Sequence, residues 1–482
     1  MASEIPTSPA THRFAKTMKS KIMAISAARK IAYEILRRVD SEGAYASDLL
    51  HAELGTNVKP EDAALATEIV LGVLRWQRLL DSLLDKHMKK PVARLDLPVT
   101  IALRIGIYQL RFLDRIPASA AVNESVELVK KARKTSAATL VNAVLRRVAS
   151  EAKEPAEKLI PPTGDLADRL GLVHAHPTWM VEHWLARFGE AETLALLVAN
   201  NRTPRLSCAM HDNSEREEIF GDLKRAGLRI EPGILLRSSF AVGGGSPART
   251  EVFRAGKISI QDEASQIIPL LLDVQPGDRV LDLCAAPGGK TPPLVRGAGE
   301  SGMVVAGERH SHRLRGMREQ FKRLNFSRVR LIQIDAEKQL PFQARFDRIL
   351  VDAPCSGTGT LARHPEIKWR LNAGQLAEFH RLQCSLLANA LEMLAPGGRL
   401  VYSTCSMEPE ENENVVEEVS KLRGDIFRVD RESAAEALRG FLVEGIDANS
   451  LFGGDGFFRT RPGLQNADGF FAAVLEKAKA MR

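Results

Sequence analysis

The segment RVLDLCAAPGGKT, residues 279–291, joins a short apolar strand pattern to a loop of small residues. This order is typical of a strand and turn in a doubly wound α/β sheet, where the loop meets a ligand at a helix amino terminus. The loop does not read G-x-G-x-x-G, and no glycine stands at the first position of the Walker pattern G-x-x-x-x-G-K-[ST]. The segment therefore predicts a nucleotide-type site but disfavours a dinucleotide or a triphosphate.

Four more apolar segments follow and alternate with helical patterns, as expected for strands buried on both faces of a parallel sheet. Ligands bind at the carboxyl ends of such strands. The sequence therefore predicts a doubly wound parallel sheet with its site at that edge. The predicted strands are 279–284, 303–308, 328–335, 346–353 and 398–405, with helices that include 311–324 and 374–394.

The chain has 482 residues, which favours two or three domains. The rest of the chain contains an all-helical region, a Pro-Pro and charge-rich linker, and a mixed segment of helix and short strands. The predicted boundaries are 1–21 for a disordered tail, 22–150 for a helical bundle, 151–175 for the linker, 176–256 for a small α+β segment and 257–482 for the catalytic domain.

The helical region is apolar inside and basic outside. Ala28, Ile35 and Val39 recur at helical spacing, and residues 99–113 are apolar nearly all round, as in a central bundle helix. Residues 1–150 hold 24 Lys and Arg against 15 Asp and Glu, a net charge of +9, whereas the remainder carries −2. This imbalance predicts a module that meets a polyanion, with a merely solvated basic surface as the alternative.

The five cysteines form no CxxC pair, and their odd number argues against a disulfide framework. We therefore expect no metal site, and we expect Cys208, Cys284 and Cys384 to be small buried residues. Cys355 and Cys405 differ, because each lies just past the end of a predicted strand. The apolar runs are too short for a membrane span and the amino terminus lacks a signal-peptide core, so we expect a cytoplasmic protein.

Carboxylates end the successive strands. Glu308 lies where it can accept hydrogen bonds from a ribose, Asp335 where it can meet an adenine edge, and Asp352 ends the fourth strand. Any one of them alone is more simply a cap or turn residue. Together they favour a neutral-to-cationic nucleoside such as S-adenosylmethionine.

The two strand-end thiols suit methylation of cytosine at carbon 5. A thiolate that adds to carbon 6 makes carbon 5 nucleophilic, a carboxyl group hydrogen-bonds the ring edge that gains charge, and a base removes the carbon 5 proton. Asp352, Cys355 and Cys405 provide one carboxyl group and two thiols at one sheet edge.

Several long motifs resemble the Sun family of RNA cytosine carbon-5 methyltransferases. The helical region resembles the NusB-like domain that is attached to the RsmB-type bacterial enzymes of small-subunit rRNA. The catalytic motifs are DLCAAPGGKT (282–291), DAPCSGTG (352–359), YSTCSMEPEENE (402–413), QDEASQ (261–266) and DGFFAAVLEK (468–477), and those of the helical region are VNESVELVKKA (122–132) and LVNAVLRRV (140–148).

The resemblance implies a Rossmann-like class I methyltransferase domain, small-subunit rRNA as the partner, no metal and no membrane, and a monomer. It implies that Cys405 is the nucleophile, that Cys355 assists product release and that Asp352 also touches the cytosine. The residues implied to hold S-adenosylmethionine are Cys284, Ala285, Ala286, Pro287, Gly288, Gly289, Lys290, Glu308, Asp335 and Asp352.

Some positions leave alternatives open. LSCAMH (206–211) stands where the family often has an Arg-Val-Asn-like strand, and Glu308 replaces the commoner Asp. Lys290 binds the target or caps its loop, and Trp369, in the predicted substrate loop 363–370, stacks on a base or packs. A tRNA enzyme and a non-catalytic RNA-binding assembly factor are the alternative functions. An amino-methyltransferase is disfavoured, because the Asn/Asp-Pro-Pro-aromatic motif is absent.

Overall fold

The computed structural model describes residues 25–55, 58–159 and 164–479. The predicted tail, residues 1–21, lies outside these ranges. The described residues form two compact units: the first holds those up to 155 except 45–47 and 74–79, and the second holds those two stretches and the described residues from 156 onward.

The first unit is helical, as predicted. Its central helix is buried on nearly all sides, and Gly106 lies so close to the neighbouring helices that an added Cβ would be 2.4 Å from the side chain of Leu145. A buried ion pair of 2.8 Å joins Arg29 to Glu124, and Arg29 also donates to Gln109. The helices are α1 (Ala27–Glu42), α2 (Ala46–Glu53), α3 (Pro60–Asp85), α4 (Leu97–Phe112), α5 (Ala118–Lys131) and α6 (Ala138–Glu151).

The predicted linker, residues 151–175, is partly helical where the structure describes it. It contains α7 (Ala156–Leu159) and α8 (Leu166–Val173). The Asp165 side chain caps α8, whose Ala167 and Leu170 belong to the apolar cluster around Trp184. Apolar packing therefore stabilises α8.

The small α+β segment follows and extends beyond its predicted boundary at residue 256. Its four antiparallel strands lie in the order β2-β3-β1-β4, and β1 is the LSCAMH segment. The last strand pairs with β1 and therefore belongs to this sheet. The elements are α9 (Thr178–Asn200), β1 (Leu206–Met210), α10 (Arg216–Arg225), β2 (Arg229–Pro232), β3 (Ser239–Gly243), α11 (Glu251–Arg254) and β4 (Ile258–Ile260).

The remaining residues form a mixed eight-stranded sheet flanked by helices. The helices are α12 (Glu263–Ile267), α13 (Thr291–Ala298), α14 (Ser311–Arg323), α15 (Ile367–Arg370), α16 (Ala373–Glu392), α17 (Glu413–Lys421) and α18 (Arg431–Glu436). The strands are β5 (Arg279–Asp282), β6 (Met303–Glu308), β7 (Arg330–Gln333), β8 (Phe346–Asp352), β9 (Leu394–Thr404), β10 (Ile426–Arg428), β11 (Phe458–Thr460) and β12 (Phe470–Lys477).

The strand order is β10-β12-β9-β8-β5-β6-β7, and β11 pairs with β12. The five strands from β5 to β9 are parallel, as predicted, whereas β10, β11 and β12 are antiparallel additions that the sequence analysis did not anticipate. Successive side chains of a strand face opposite layers, so Val280 packs in one apolar cluster and Leu281 in the other. Strand β6 lies on one side of β5 and β8 lies on the other, so the connections that leave these strands diverge. This divergence opens a crevice at the carboxyl ends of β5 and β8.

The helices within the described ranges all fall short of the combined length and hydropathy that crossing a bilayer would require.

A buried carboxylate ties the small α+β segment to the eight-stranded sheet. Glu263, in the QDEASQ motif, accepts hydrogen bonds from the backbone N–H groups of Ile234, Leu235 and Leu236 at 2.8–3.1 Å. The Glu263 side chain is buried, so water cannot replace its carboxylate as the hydrogen-bond acceptor for these amides.

We expect Glu263→Ala to lower the free energy of unfolding by about 2–4 kcal/mol, since it leaves buried amides unpaired. Urea unfolding followed by tryptophan fluorescence measures the change. Glu251→Ala, at an exposed carboxylate of α11, serves as the control. A loss no larger than that of the control would contradict this role for Glu263.

Candidate active site

The loop after β5 begins at a buried acid. Asp282 is inaccessible to solvent, and its Oδ2 accepts a hydrogen bond of 2.8 Å from Thr291, the first residue of α13. Burial raises the pKa of the Asp282 carboxyl to about 7. Among the described residues, none donates a hydrogen bond to its Oδ1 atom.

The loop itself, residues 283–290, is held close to the next strand. Ala285 donates its N–H to the carbonyl of Gly307 at 2.9 Å, and Gly288 donates to Ala285 at 2.7 Å. Gly288 has a φ of +99°, in the left-handed region that favours glycine. An added Cβ there would also lie 3.1 Å from the ring of Phe321. Glycine is therefore required for this turn, as the small-residue pattern predicted.

Glu308 and Asp335 lie at the ends of adjacent strands, on the same edge as the loop. Glu308 is buried and accepts the N–H of His310 at 2.7 Å, and Asp335 accepts that of Glu337 at 3.3 Å. The carbonyl of Glu308 accepts the N–H of Ile334, the residue before Asp335, at 3.0 Å. The backbone segments that carry these two carboxylates are therefore hydrogen-bonded to each other, and each carboxylate also stabilises its own turn.

Lys290 and Asp352 form an ion pair at the carboxyl end of β8. The Lys290 Nζ atom lies 2.6 Å from Asp352 Oδ2 and 5.0 Å from the centre of the Phe470 ring. Ser403 donates a hydrogen bond of 2.9 Å to Asp352 Oδ1. Lys290 directly precedes α13, and its ion pair with Asp352 connects the loop after β5 to the end of β8.

The two predicted catalytic thiols are in contact. The Sγ atoms of Cys355 and Cys405 lie 3.3 Å apart, and both residues are partly buried. Cys405 immediately follows β9, and its carbonyl accepts the N–H of Gly359, four residues after Cys355. The hydrogen bond with Cys405, together with burial, raises the pKa of the Cys355 thiol well above its usual range.

A partly buried cation, not singled out from the sequence, joins the outer motifs. Arg363 lies 2.7 Å from Asp262, in the QDEASQ motif, and 2.7 Å from Asp468, in the DGFFAAVLEK motif. Both carboxylates are buried. The acidic residue in each motif is visible in the sequence, but only the folded structure identifies Arg363 as the partner that both share.

The predicted substrate loop, residues 363–370, is anchored at several points. Lys368 is buried, and its Nζ atom donates to the carbonyl of Ala175 at 2.8 Å. The Trp369 indole N–H donates to the carbonyl of Leu74 at 2.6 Å, within the same compact unit. These contacts favour packing over base stacking for Trp369.

The remaining cysteines differ in burial. Cys208 is fully buried in the small sheet, as predicted. Cys284 and Cys384 are partly buried and pack against the same apolar cluster, so the expectation that they are buried is met in part. Cys384 lies on α16 with its Sγ atom 3.5 Å from His380 Nε2.

The residues at this edge fit S-adenosylmethionine. Asp282 offers a buried carboxylate oxygen without a described partner, Glu308 offers a carboxylate at the ribose position of this fold, and Asp352 pairs with Lys290 at the carboxyl end of β8. A cationic sulfonium nucleoside suits such an acidic set of strand ends.

Comparison with known proteins relates the chain to one family. Residues 269–476 match the family described as 16S rRNA methyltransferase RsmB/F, and residues 26–150 match the NusB family.

Individual relatives align over most of the chain. A Synechocystis protein named "Probable ribosomal RNA small subunit methyltransferase B" is 32% identical over 94% of this chain and 99% of its own. "Ribosomal RNA small subunit methyltransferase B" of Pseudomonas syringae is 36% identical over 75% and 79%. The crystal structure of PH0851 covers 93% of this chain and 98% of its own with a TM-score of 0.76 at 24% identity, which shows a shared fold. The chain therefore belongs to the RsmB/F family of 16S rRNA methyltransferases and carries an amino-terminal domain of the NusB family.

Proposed function

We propose that the protein methylates carbon 5 of a cytosine in small-subunit rRNA, with S-adenosylmethionine as the methyl donor and a covalent bond between the enzyme and the cytosine. The observation that carries this proposal is the contact between Cys355 and Cys405, 3.3 Å apart, at the sheet edge that also holds the Lys290–Asp352 pair. A methylation site without covalent catalysis would not need two thiols there.

The two thiols have different tasks. Cys405 attacks carbon 6 of the ring, and the raised pKa of Cys355 keeps the proton on the second thiol while the first acts as nucleophile. After methylation, loss of the carbon 5 proton and cleavage of the bond between sulfur and carbon 6 restore the aromatic ring. Cys355 lies beside that bond and assists its cleavage.

Asp352 and Lys290 bind the edge of the ring where charge develops. Ser403 and Lys290 each hold one oxygen of the Asp352 carboxylate, so its orientation is fixed before the substrate arrives. S-adenosylmethionine, when bound, supplies the methyl group on a sulfonium. Residues 284–290 with Glu308, Asp335 and Asp352 would hold it at the strand ends.

The alternative functions have less support. The names of the relatives specify small-subunit rRNA, which favours rRNA over tRNA as the substrate. A non-catalytic assembly factor would have no need for the Cys355–Cys405 contact or for the Lys290–Asp352 pair. The NusB-type domain then contributes affinity for RNA rather than the whole function.

The basic surface of that domain is partly neutralised. Lys130 pairs with Glu127 at 2.7 Å and Lys134 with Asp96 at 2.6 Å. Arg146 and Arg147 on α6 are exposed, and we propose that they contact RNA phosphates.

The function is tested by incubating small-subunit rRNA from cells that lack the protein with the purified protein and S-adenosylmethionine. Bisulfite sequencing of this rRNA should then reveal a cytosine that resists conversion, because a carbon 5 methyl group slows deamination. Cys405→Ala should leave that cytosine unprotected. Protection of tRNA alone would favour the tRNA alternative.

Substitution of each thiol separates their tasks. We expect Cys405→Ala to abolish methylation and to form no adduct, because the nucleophile is missing. Cys355→Ala should still attack and methylate but release slowly, leaving a protein–RNA complex that survives denaturing electrophoresis. An adduct in the Cys405 variant instead would reverse the two roles, and turnover in both variants without trapping would refute the covalent mechanism.

The RNA contacts of the NusB-type domain predict a change in salt dependence. For Arg146→Gln with Arg147→Gln, the slope of log affinity against log salt should become shallower by about 1.4 to 1.8 units, since each phosphate contact contributes about 0.7 to 0.9. Filter binding with labelled rRNA measures the slope. Lys421→Gln with Arg431→Gln, two exposed cations of the other unit, is the matched control. An unchanged slope in the arginine variant would mean that this surface is only solvated.

A further inference from the structure

We propose that Glu411 is a positioning residue that sets the distance between the two catalytic thiols. Its carboxylate joins the residue after Cys355 to the residue after Cys405. This inference rests on the proposed function, because it concerns how the two cysteines of that mechanism are brought together.

The two oxygens of Glu411 accept hydrogen bonds from both cysteine loops. Oε2 accepts the backbone N–H of Ser356 at 2.8 Å, and Oε1 accepts the Ser356 hydroxyl. Oε1 also accepts the Ser406 hydroxyl at 2.6 Å. Ser356 follows Cys355 and Ser406 follows Cys405, so one carboxylate holds the position next to each thiol.

Glu411 is itself held in place by groups outside the two loops. Gln383, on α16, donates its side-chain N–H to Oε2 at 3.0 Å and to the carbonyl of Pro354 at 2.9 Å. The Tyr402 hydroxyl donates to the backbone carbonyl of Glu411 at 2.6 Å. The Glu411 side chain is inaccessible to solvent, so water cannot substitute for the carboxylate.

The hydrogen bonds of Glu411 matter more here than its charge. Burial raises the pKa of the Glu411 carboxyl, which reduces the advantage of the ionised form. A glutamine amide can accept the Ser356 N–H and the Gln383 amide with its oxygen, and its NH2 can donate to the two serine hydroxyls, because a hydroxyl is both donor and acceptor. Alanine at this position removes all of these bonds.

The coupling of the two thiols gives a readout that does not depend on methylation. Diamide, an azo-type oxidant, takes two electrons and two protons from a pair of neighbouring thiols; one S–S bond forms, and the N=N bond is reduced to a hydrazine. The rate at which the Cys355–Cys405 disulfide forms reports how often the two sulfur atoms are in contact, and peptide mass analysis measures this rate.

We expect Glu411→Ala to slow this disulfide about tenfold or more, because misplacement of reacting groups by about 1 Å has effects of that size or larger. Glu411→Gln should form the disulfide at a rate within about threefold of that of the native protein. A threefold change in rate corresponds to less than about 1 kcal/mol of activation free energy. Glu417→Gln, at an exposed carboxylate of α17, is the matched control and should leave the rate unchanged. A native rate in Glu411→Ala overturns the proposal.

A second variant covers the case in which Glu411→Ala does not fold. Ser356→Ala with Ser406→Ala keeps the carboxylate and removes both hydroxyl donors, and it too should slow the disulfide. A native rate in this double variant overturns the proposal.

Methylation kinetics then distinguish this proposal from the proposed function. For Glu411→Ala we expect a lower kcat with an unchanged KM for S-adenosylmethionine, because the hydrogen bonds described for the Glu411 carboxylate go to Ser356, Ser406 and Gln383, outside the loop at 284–290. Slow disulfide formation with unchanged methylation would support the positioning role and refute the cysteine mechanism. Slow methylation with a native disulfide rate would refute the positioning role.

Discussion

The parallel pairing of β8 with β9 is the constraint on which the active site depends. It sets Asp352 opposite Ser403, and the carbonyl of Ser403 accepts the N–H of Ala353. Two chain segments separated by fifty residues therefore leave the sheet side by side and in the same direction. Because parallel strands end at one edge, the loops that follow must meet there, and each of these loops carries a cysteine.

Ion pairs fix how the loops at this sheet edge lie against one another. Apolar packing of the two sheet faces fixes the layers, but it tolerates small shifts of a loop at the edge. Lys290 pairs with the partly exposed Asp352, and Arg363 pairs with the buried Asp262 and Asp468. Each pair requires a particular geometry, since a charge removed from water without a partner is costly. These pairs connect the cofactor loop, the thiol loops and the outer motifs.

The site contains two kinds of carboxylate, which amino-acid composition alone cannot distinguish. Asp352 is partly exposed beside the thiols and is available to a ligand, whereas Glu263 and Glu411 are buried and satisfied by protein donors. In the proposed mechanism the first kind acts on substrates, whereas the second kind keeps the backbone in place. Part of the acidic sequence after Cys405, within YSTCSMEPEENE (402–413), is therefore structural.

The sequence by itself determined the parallel strands, the helical first unit, and the candidates Cys355, Cys405, Asp352 and Lys290. Hydrophobic periodicity and strand-end position are local properties, so they are readable along the chain. The helices in the predicted linker and the antiparallel strand β12 were missed, because their order comes from packing against distant residues. Only the tertiary structure decided that Glu411 bonds to both cysteine loops and that Arg363 bonds to Asp262 and Asp468. The physical reason is that a buried hydrogen bond or ion pair depends on distances between segments, and these distances exist only once the sheet has formed.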